Sequence, residues 1–430
     1  MKLQRDIGLA VAMSLVIGTV IGSGIFMKPG VVLASAGSVS NALWAWVLGG
    51  LISLAGGLTI AEVSTRIPKT GGLYVYLEEV YGRLWGFLAG WVQTILYGPA
   101  VIGGLGLYFG SLFAHLFGLD PGWKTGIGIL TVAFLALMNA LGTKYGGWIQ
   151  TVATAGKLVP IALIIVFGVW KGDSSLSGWE PITTEVSMGM AILATLWAYD
   201  GWMMVGAVAG EMRDPVKQLP RAIIGGLSIV MVLYLGVNVA LLHVLSPAEI
   251  VSLGENAAGT AAAQLFGSVG GSLISVGILV SIFGCLNGKI FTFPRVPYAM
   301  ADRGQLPASG FLSKVHPKFG TPLNAIALQA VLAILLMLVL NVDRLSDIAI
   351  FVVCLCNIFA FLALFQLRKR PVDAGQRLYR VPLYPWVPIA AIAGGIYVVY
   401  SMLAAKPFDA LMAIGLTVIG WPLYAWMNRK

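Results

Sequence analysis

Lys157 stands midway along an apolar run, Asp200 interrupts another, and Gly18-Thr19-Val20-Ile21-Gly22-Ser23-Gly24-Ile25-Phe26 breaks up a third. A lysine at the centre of a bilayer helix costs ~2.5 kcal/mol or more, so it must face a partner or a cavity. The alternative is a long side chain reaching for the interface. The depth of Lys157 in its run favours an ammonium held inside, where it can donate to carbonyls freed from a neighbouring broken helix, such as that of Gly18. Asp200 has three readings: a group that takes up a proton, a contact to substrate, or a cap on the half-helix that follows it, the last being favoured. Lys289 lies close to Pro294 and Arg295 and is expected to snorkel to the cytoplasmic interface.

Other chemistries find little support. His115, His243 and His316 are scattered, so no metal site is expected. Cys285, Cys354 and Cys356 all fall in apolar runs, which implies no disulfide framework. No HExxH, GxSxG or phosphate-binding loop is present; Ala155-Gly156-Lys157-Leu158 lacks the leading glycine and the Ser/Thr of the last. An enzyme with a resident cofactor is therefore not expected.

The glycine-rich stretch sits in an apolar run from Ile7 to Met27, long enough for a bilayer core, which needs ~20 helical residues. Glycine weakens a helix by ~1 kcal/mol per residue. Unwound backbone at membrane depth is tolerated only where it is buried in protein or lines a cavity. The stretch therefore reads as a broken helix of the kind that forms substrate sites in transporters. Gly18 and Gly22 also have the GxxxG spacing of a helix-packing face, and spacing alone does not choose between the two.

The elements that must position these residues are transmembrane. The chain has 430 residues, 58% hydrophobic and 10% charged, with a mean hydropathy of +0.88. Ordinary globular chains carry ~25% charged residues. The pattern reads as an all-α integral membrane protein of twelve spans: 7–27, 41–63, 84–115, 124–142, 148–170, 188–210, 222–245, 265–293, 322–341, 345–367, 384–404 and 408–427. The first run is too long and too weakly flanked by basic residues for a cleavable signal peptide. Gly71–Tyr81 reads as an amphipathic helix lying at the interface.

Twelve spans put both termini on one side. Of the 27 lysines and arginines, only Lys28, Lys124, Lys171, Arg344 and Lys406 fall on the face opposite the termini, while Lys157 and Lys289 lie within spans. The remainder share the termini's face, so the termini are expected in the cytoplasm. The net charge of +9 is then a topology signal, and nucleic acid is not needed to explain it.

The sixth span is interrupted like the first, at Tyr199-Asp200-Gly201 between Trp197 and Trp202. An odd number of spans separates the two starts, so the halves run in opposite directions. Broken helices at matching places in inverted halves point to a site at the membrane midplane and favour a transporter with alternating access over a channel.

Gly18–Phe26, Ala61-Glu62 with Ile67-Pro-Lys-Thr-Gly-Gly72, Tyr199-Asp-Gly-Trp202, Gly284–Lys289 and Phe293-Pro-Arg295 closely resemble the amino acid–polyamine–organocation superfamily. Within it the chain is similar to the L-type amino acid transporters, over nearly its whole length. The resemblance implies a five-plus-five inverted repeat: spans one to five in residues 1–171, spans six to ten in 172–370, and two further helices in 371–430. It implies a sodium-independent exchanger of small to medium neutral L-amino acids such as serine, threonine and alanine. A proton-coupled symporter of the same fold is the alternative, with Asp200 or Lys157 titrating.

By the same resemblance the amides of Gly22, Ser23 and Gly24 would hold the substrate carboxylate. The carbonyls of Ile21, Trp197 and Asp200 would accept from its ammonium group. Thr19, Tyr199, Gly201 and Trp202 belong to the two unwound segments, and Cys285 would face the site from the eighth span. Trp197 takes an aromatic gate position usually held by phenylalanine. Lys157 matches a lysine found where sodium-coupled relatives place an ion, with Gly18 and Ser281 as its implied partners. The animal members join a glycoprotein through a cysteine between the third and fourth spans; Leu116–Trp123 has none, so no such covalent partner is expected. The implied setting is a monomer in the plasma membrane, in a bacterium the inner membrane.

Overall fold

The computed structural model describes residues 8–67, 72–141, 143–172, 186–203, 214–371 and 378–427. Helix α1 (Leu9–Val20) takes in Gly18 and ends just before Gly22, and Ile21 leaves it at φ −68°, ψ 100°. The chain returns to helix at α2 (Gly24–Met27), keeps a right-handed conformation at Lys28, and runs on as α3 (Pro29–Ala36). Proline suits that first position because its missing N–H would have had no acceptor there. Gly37, at φ 73°, supplies the left-handed stop. Ser38 then caps α4 (Val39–Arg66), its hydroxyl accepting from the Asn41 amide at 3.3 Å.

The expected amphipathic helix is α5 (Leu73–Tyr81). Tyr74, Val75, Tyr76 and Leu77 are buried on its inner side, while Glu79 is exposed.

Helices α6 (Arg83–Val92) and α7 (Gly98–Leu116) form one long rod with a five-residue π-turn, Gln93–Tyr97, between them. After α8 (Trp123–Ala140) comes α9 (Thr143–Lys171), which carries Lys157. Helix α10 (Met188–Tyr199) is the second broken element: Asp200 turns extended at φ −70°, ψ 142°, and Gly201 takes φ 124°. The rest of the expected sixth span, 204–210, lies outside the described residues, as do 211–213 after it and 68–71 of the Ile67–Gly72 motif.

Helix α11 (Pro215–Val244) lies across α1 and α4. Helix α12 (Pro247–Leu253) sits on α3 and begins with a capping box between Ser246 and Glu249. Helix α13 (Ala257–Thr292) starts earlier than the expected eighth span and bends at Gly267, φ 70°. Short helices α14 (Arg295–Asp302) and α15 (Ser309–Leu312) lead to α16 (Leu323–Val339), α17 (Val342–Leu367), α18 (Trp386–Ala405) and α19 (Pro407–Met427).

Among the described residues, eight helical runs are long and apolar enough to cross a bilayer. Two shorter apolar helices, α10 and α16, accompany them. Large apolar side chains such as Leu130, Val169, Val232 and Tyr400 face outward, as an apolar solvent allows. The buried interior instead holds charges: Lys28, Glu62, Lys157, Lys289 and Asp347. Such groups need partners, and those partners define the working parts.

Candidate functional site

The two breaks pack directly on one another. A Cβ on Gly24 would come within 2.3 Å of Ala198 Cα, and one on Gly201 within 2.5 Å of the Thr19 carbonyl oxygen. Only glycine permits backbone to meet backbone this closely. Thr19 Oγ1 adds a 3.2 Å hydrogen bond to the Gly201 carbonyl. The glycines of the first break are therefore more than a GxxxG face between two intact helices.

Unwinding removes the helical donors of the last carbonyls of α1, and buried carbonyls need replacements. Lys157 Nζ donates to Gly18 O at 2.8 Å. The Tyr234 hydroxyl lies 3.1 Å from Val20 O and 2.9 Å from Ala198 O, so one donor serves the ends of both broken helices. Ser281, expected as a second partner of Lys157, is buried but its hydroxyl makes no hydrogen bond among the described residues. The lysine spends its reach on the freed carbonyl instead. Tyr234 was not anticipated; a tyrosine in an apolar span carries no signal until the span beside it is known to be broken.

Asp200 and Lys289 meet in an ion pair at 2.8 Å, and the Tyr97 hydroxyl donates to the other carboxylate oxygen at 2.8 Å. This corrects the snorkelling assigned to Lys289, which is 6% exposed. A half-buried carboxylate at a helix break attracts the nearest ammonium more strongly than the distant interface does. The half-helix that Asp200 is expected to cap lies outside the described residues; among them its two oxygens meet Lys289 and Tyr97. Phe293 packs edge-on against Tyr97, with ring centroids 5.2 Å apart.

A cavity of about 20 Å³ lies between the breaks, lined by Thr19, Val20, Gly22, Ser23, Gly24, Val101, Leu105, Trp197, Asp200, Cys285 and Lys289. A volume of that size holds about one water. The hydroxyl of Ser23 is buried there without a hydrogen-bond partner among the described residues. A Cβ on Gly22 would meet Cys285 Sγ at 2.6 Å. The amides of Gly22, Ser23 and Gly24 open α2, where a helix presents N–H groups and a positive dipole end to an anion.

Not all the expected residues gather here. The Tyr199 side chain points away, donating to Trp46 O at 3.1 Å and packing on Tyr234 with ring centroids 5.1 Å apart. Trp202 lines a second cavity of about 50 Å³ with Ser53, Cys354, Asn357 and Phe361, which Asp200 borders from the other side. Ile21 is buried and contributes backbone to the first break. Val101, Leu105 and Lys289 line the first cavity without having been singled out for it.

At one end of the bundle Lys28, fully buried, bonds Asp343 at 2.8 Å and Ser346 at 2.7 Å, joining the α2–α3 segment to α17. At the other end Glu62 accepts from Arg66 at 3.0 Å, from Arg368 at 2.9 and 2.6 Å, and from the Val381 amide at 2.7 Å. Among the described residues no group of His, Cys, Asp and Glu is arranged to hold a metal ion.

A profile of amino acid permeases matches residues 7–426. The chain is similar to a serine/threonine exchanger of Bacillus subtilis (strain 168), 57% identical over 429 residues, covering 100% of this chain and 98% of the relative. It is also similar to Asc-type amino acid transporter 1 of Mus musculus, 31% identical over 443 residues, with 98% and 81% covered. Large neutral amino acids transporter small subunit 2 of Homo sapiens is 30% identical over 440 residues, with 98% and 80% covered. These relatives are transporters, not enzymes.

Proposed function

The chain belongs to the amino acid permease family, and we propose that it is a sodium-independent exchanger of small to medium neutral L-amino acids such as serine, threonine and alanine. The observation that carries this reading is the pair of broken helices packed across one small cavity, with N–H groups at the start of α2 and the ends of α1 and α10 beside them. A zwitterion needs both kinds of group, and half-helix termini supply them. Gly22, Ser23 and Gly24 hold the carboxylate in this account. Carbonyls of Ile21, Trp197 and Asp200 receive the ammonium group, with Thr19, Gly201 and Cys285 completing the site and Trp197 as its gate.

Exchange is favoured over proton symport. Lys157 supplies a fixed cation at the first break, and the Asp200 carboxylate is already compensated by Lys289, so neither break needs a travelling ion. The strong similarity to a serine/threonine exchanger points the same way.

The architecture we assign is twelve spans in a five-plus-five inverted repeat, residues 1–171 and 172–370, followed by two helices in 371–430. The breaks of α1 and α10 at corresponding places support it. Both termini lie in the cytoplasm by the distribution of basic residues. Cys285, Cys354 and Cys356 are buried and unpaired, which supports the reading that no subunit is linked by a disulfide; a monomer is part of the same proposal.

Counterflow in proteoliposomes tests the assignment. Radiolabelled serine should enter rapidly only when serine, threonine or alanine is inside, equally in sodium and in choline.

A further inference from the structure

The π-turn at Gln93–Tyr97 has a cause and a consequence. In an α-helix the Gly98 amide would donate to Thr94 O; here it donates to Gln93 O, one residue further back. Thr94 O is thereby left without its helical donor inside a buried segment, and Gln329 of α16 replaces it, its Nε2 donating to Thr94 O at 2.7 Å. Gln329 is 1% exposed. Gly98 makes the approach possible, since a Cβ there would come within 2.5 Å of Gln329 Oε1. The inserted residue turns the helix face by about 100° relative to a regular helix. Tyr97 closes the turn, and its hydroxyl reaches Asp200 Oδ1 at 2.8 Å. Reversion to regular helix would swing that hydroxyl off the carboxylate.

We propose that Gln329 is a positioning residue for transport: its carboxamide holds the π-turn, and the turn sets the Tyr97 hydroxyl on the Asp200–Lys289 pair bordering the cavity. Gln329 reaches the site only through Tyr97 and touches no solute. The proposal rests on the reading of that cavity as the solute site.

A double-mutant cycle on Gln329→Leu and Tyr97→Phe tests it, with apparent KM and maximal rate of serine exchange measured on reconstituted protein. Tyr97→Phe should raise KM about tenfold or more, the worth of one hydrogen bond to a charged group. Gln329→Leu should raise it by a similar factor, and the double variant by no more than either alone. A purely structural glutamine would lower folded yield and maximal rate, leave KM unmoved, and combine multiplicatively with Tyr97→Phe; that pattern overturns the proposal. Gly98→Ala, whose methyl group displaces the carboxamide, should reproduce the KM shift and serves if Gln329→Leu does not fold. The same cycle read as melting temperature of solubilised protein needs no solute. Non-additive shifts there support the linkage even if the exchange reading fails, and additive shifts overturn it even if serine is exchanged.

Discussion

Gly24 and Ala198 bring the two broken helices into backbone contact: a Cβ on Gly24 would stand 2.3 Å from Ala198 Cα, nearer than any real side chain. Neither helix could move without the other registering it. Gly24→Leu should therefore abolish serine binding while protein still reaches the membrane, because the side chain fills the cavity mouth and pushes α10 away. Binding to purified variant, normalised to its abundance in the membrane, measures this. Wild-type affinity would mean that the glycines serve packing alone.

Lys157 ties α9 to the last turn of α1 through Gly18 O, and a charge-assisted hydrogen bond contributes ~1.5–3 kcal/mol. A two-state ratio changes tenfold for ~1.4 kcal/mol. Lys157→Ala should slow exchange by at least about tenfold with binding largely retained, since the clasp is main chain. Lys157→Arg should not restore the rate, because a planar guanidinium cannot copy a compact ammonium. Affinity and turnover lost in proportion would argue against a conformational tie.

The Asp200–Lys289 pair predicts an asymmetry in stability. Removing one partner of a buried pair strands a charge and costs ~3–5 kcal/mol, while replacing both is often near neutral. Asp200→Asn should lower the melting temperature sharply, and Asp200→Asn with Lys289→Met should recover most of the loss. Equal loss in the double variant would show that the two residues act separately.

Where the α2–α3 segment meets α17, Lys28 is wholly buried whereas the Asp343 side chain is 52% exposed. Asp343→Asn leaves the buried ammonium with the Ser346 hydroxyl and the nearby Asp347 charge, while Lys28→Met leaves an Asp343 carboxylate that water can reach and an Asp347 that keeps Lys406 at 2.6 Å. Asp343→Asn should thus destabilise the solubilised protein more than Lys28→Met. The reverse order in melting temperature would remove the pair from this account.

Cysteines placed at 174–185 should react with impermeant maleimide from outside intact cells, and those at 213–221 should not. The opposite labelling would invert the orientation read from the basic residues.

The breaks at Ile21 and Asp200 were legible in the sequence because glycine density and interrupted hydropathy are local properties. Lys157 was legible because a charge in an apolar run demands a partner, and a broken neighbour offers carbonyls. Lys289 was misread because its closeness to Pro294 and Arg295 is also local, while its ion pair with Asp200 is a tertiary fact. Tyr97, Tyr234 and Gln329 gave no warning: each answers a donor or acceptor need created by another helix. Tyr199 was placed in the site by its neighbours, yet its ring turns to Trp46 and Tyr234 because the last turn of α10 is still helical.

The central claim is obligatory exchange without a coupling ion, and one measurement tests it most directly. Wild-type protein in liposomes is given external radiolabelled serine with either serine or no amino acid inside, in sodium or choline, with and without an inward proton gradient. The account predicts rapid influx only into serine-loaded vesicles, with no effect of sodium or of the gradient. Concentrative influx into empty vesicles driven by either ion would contradict it.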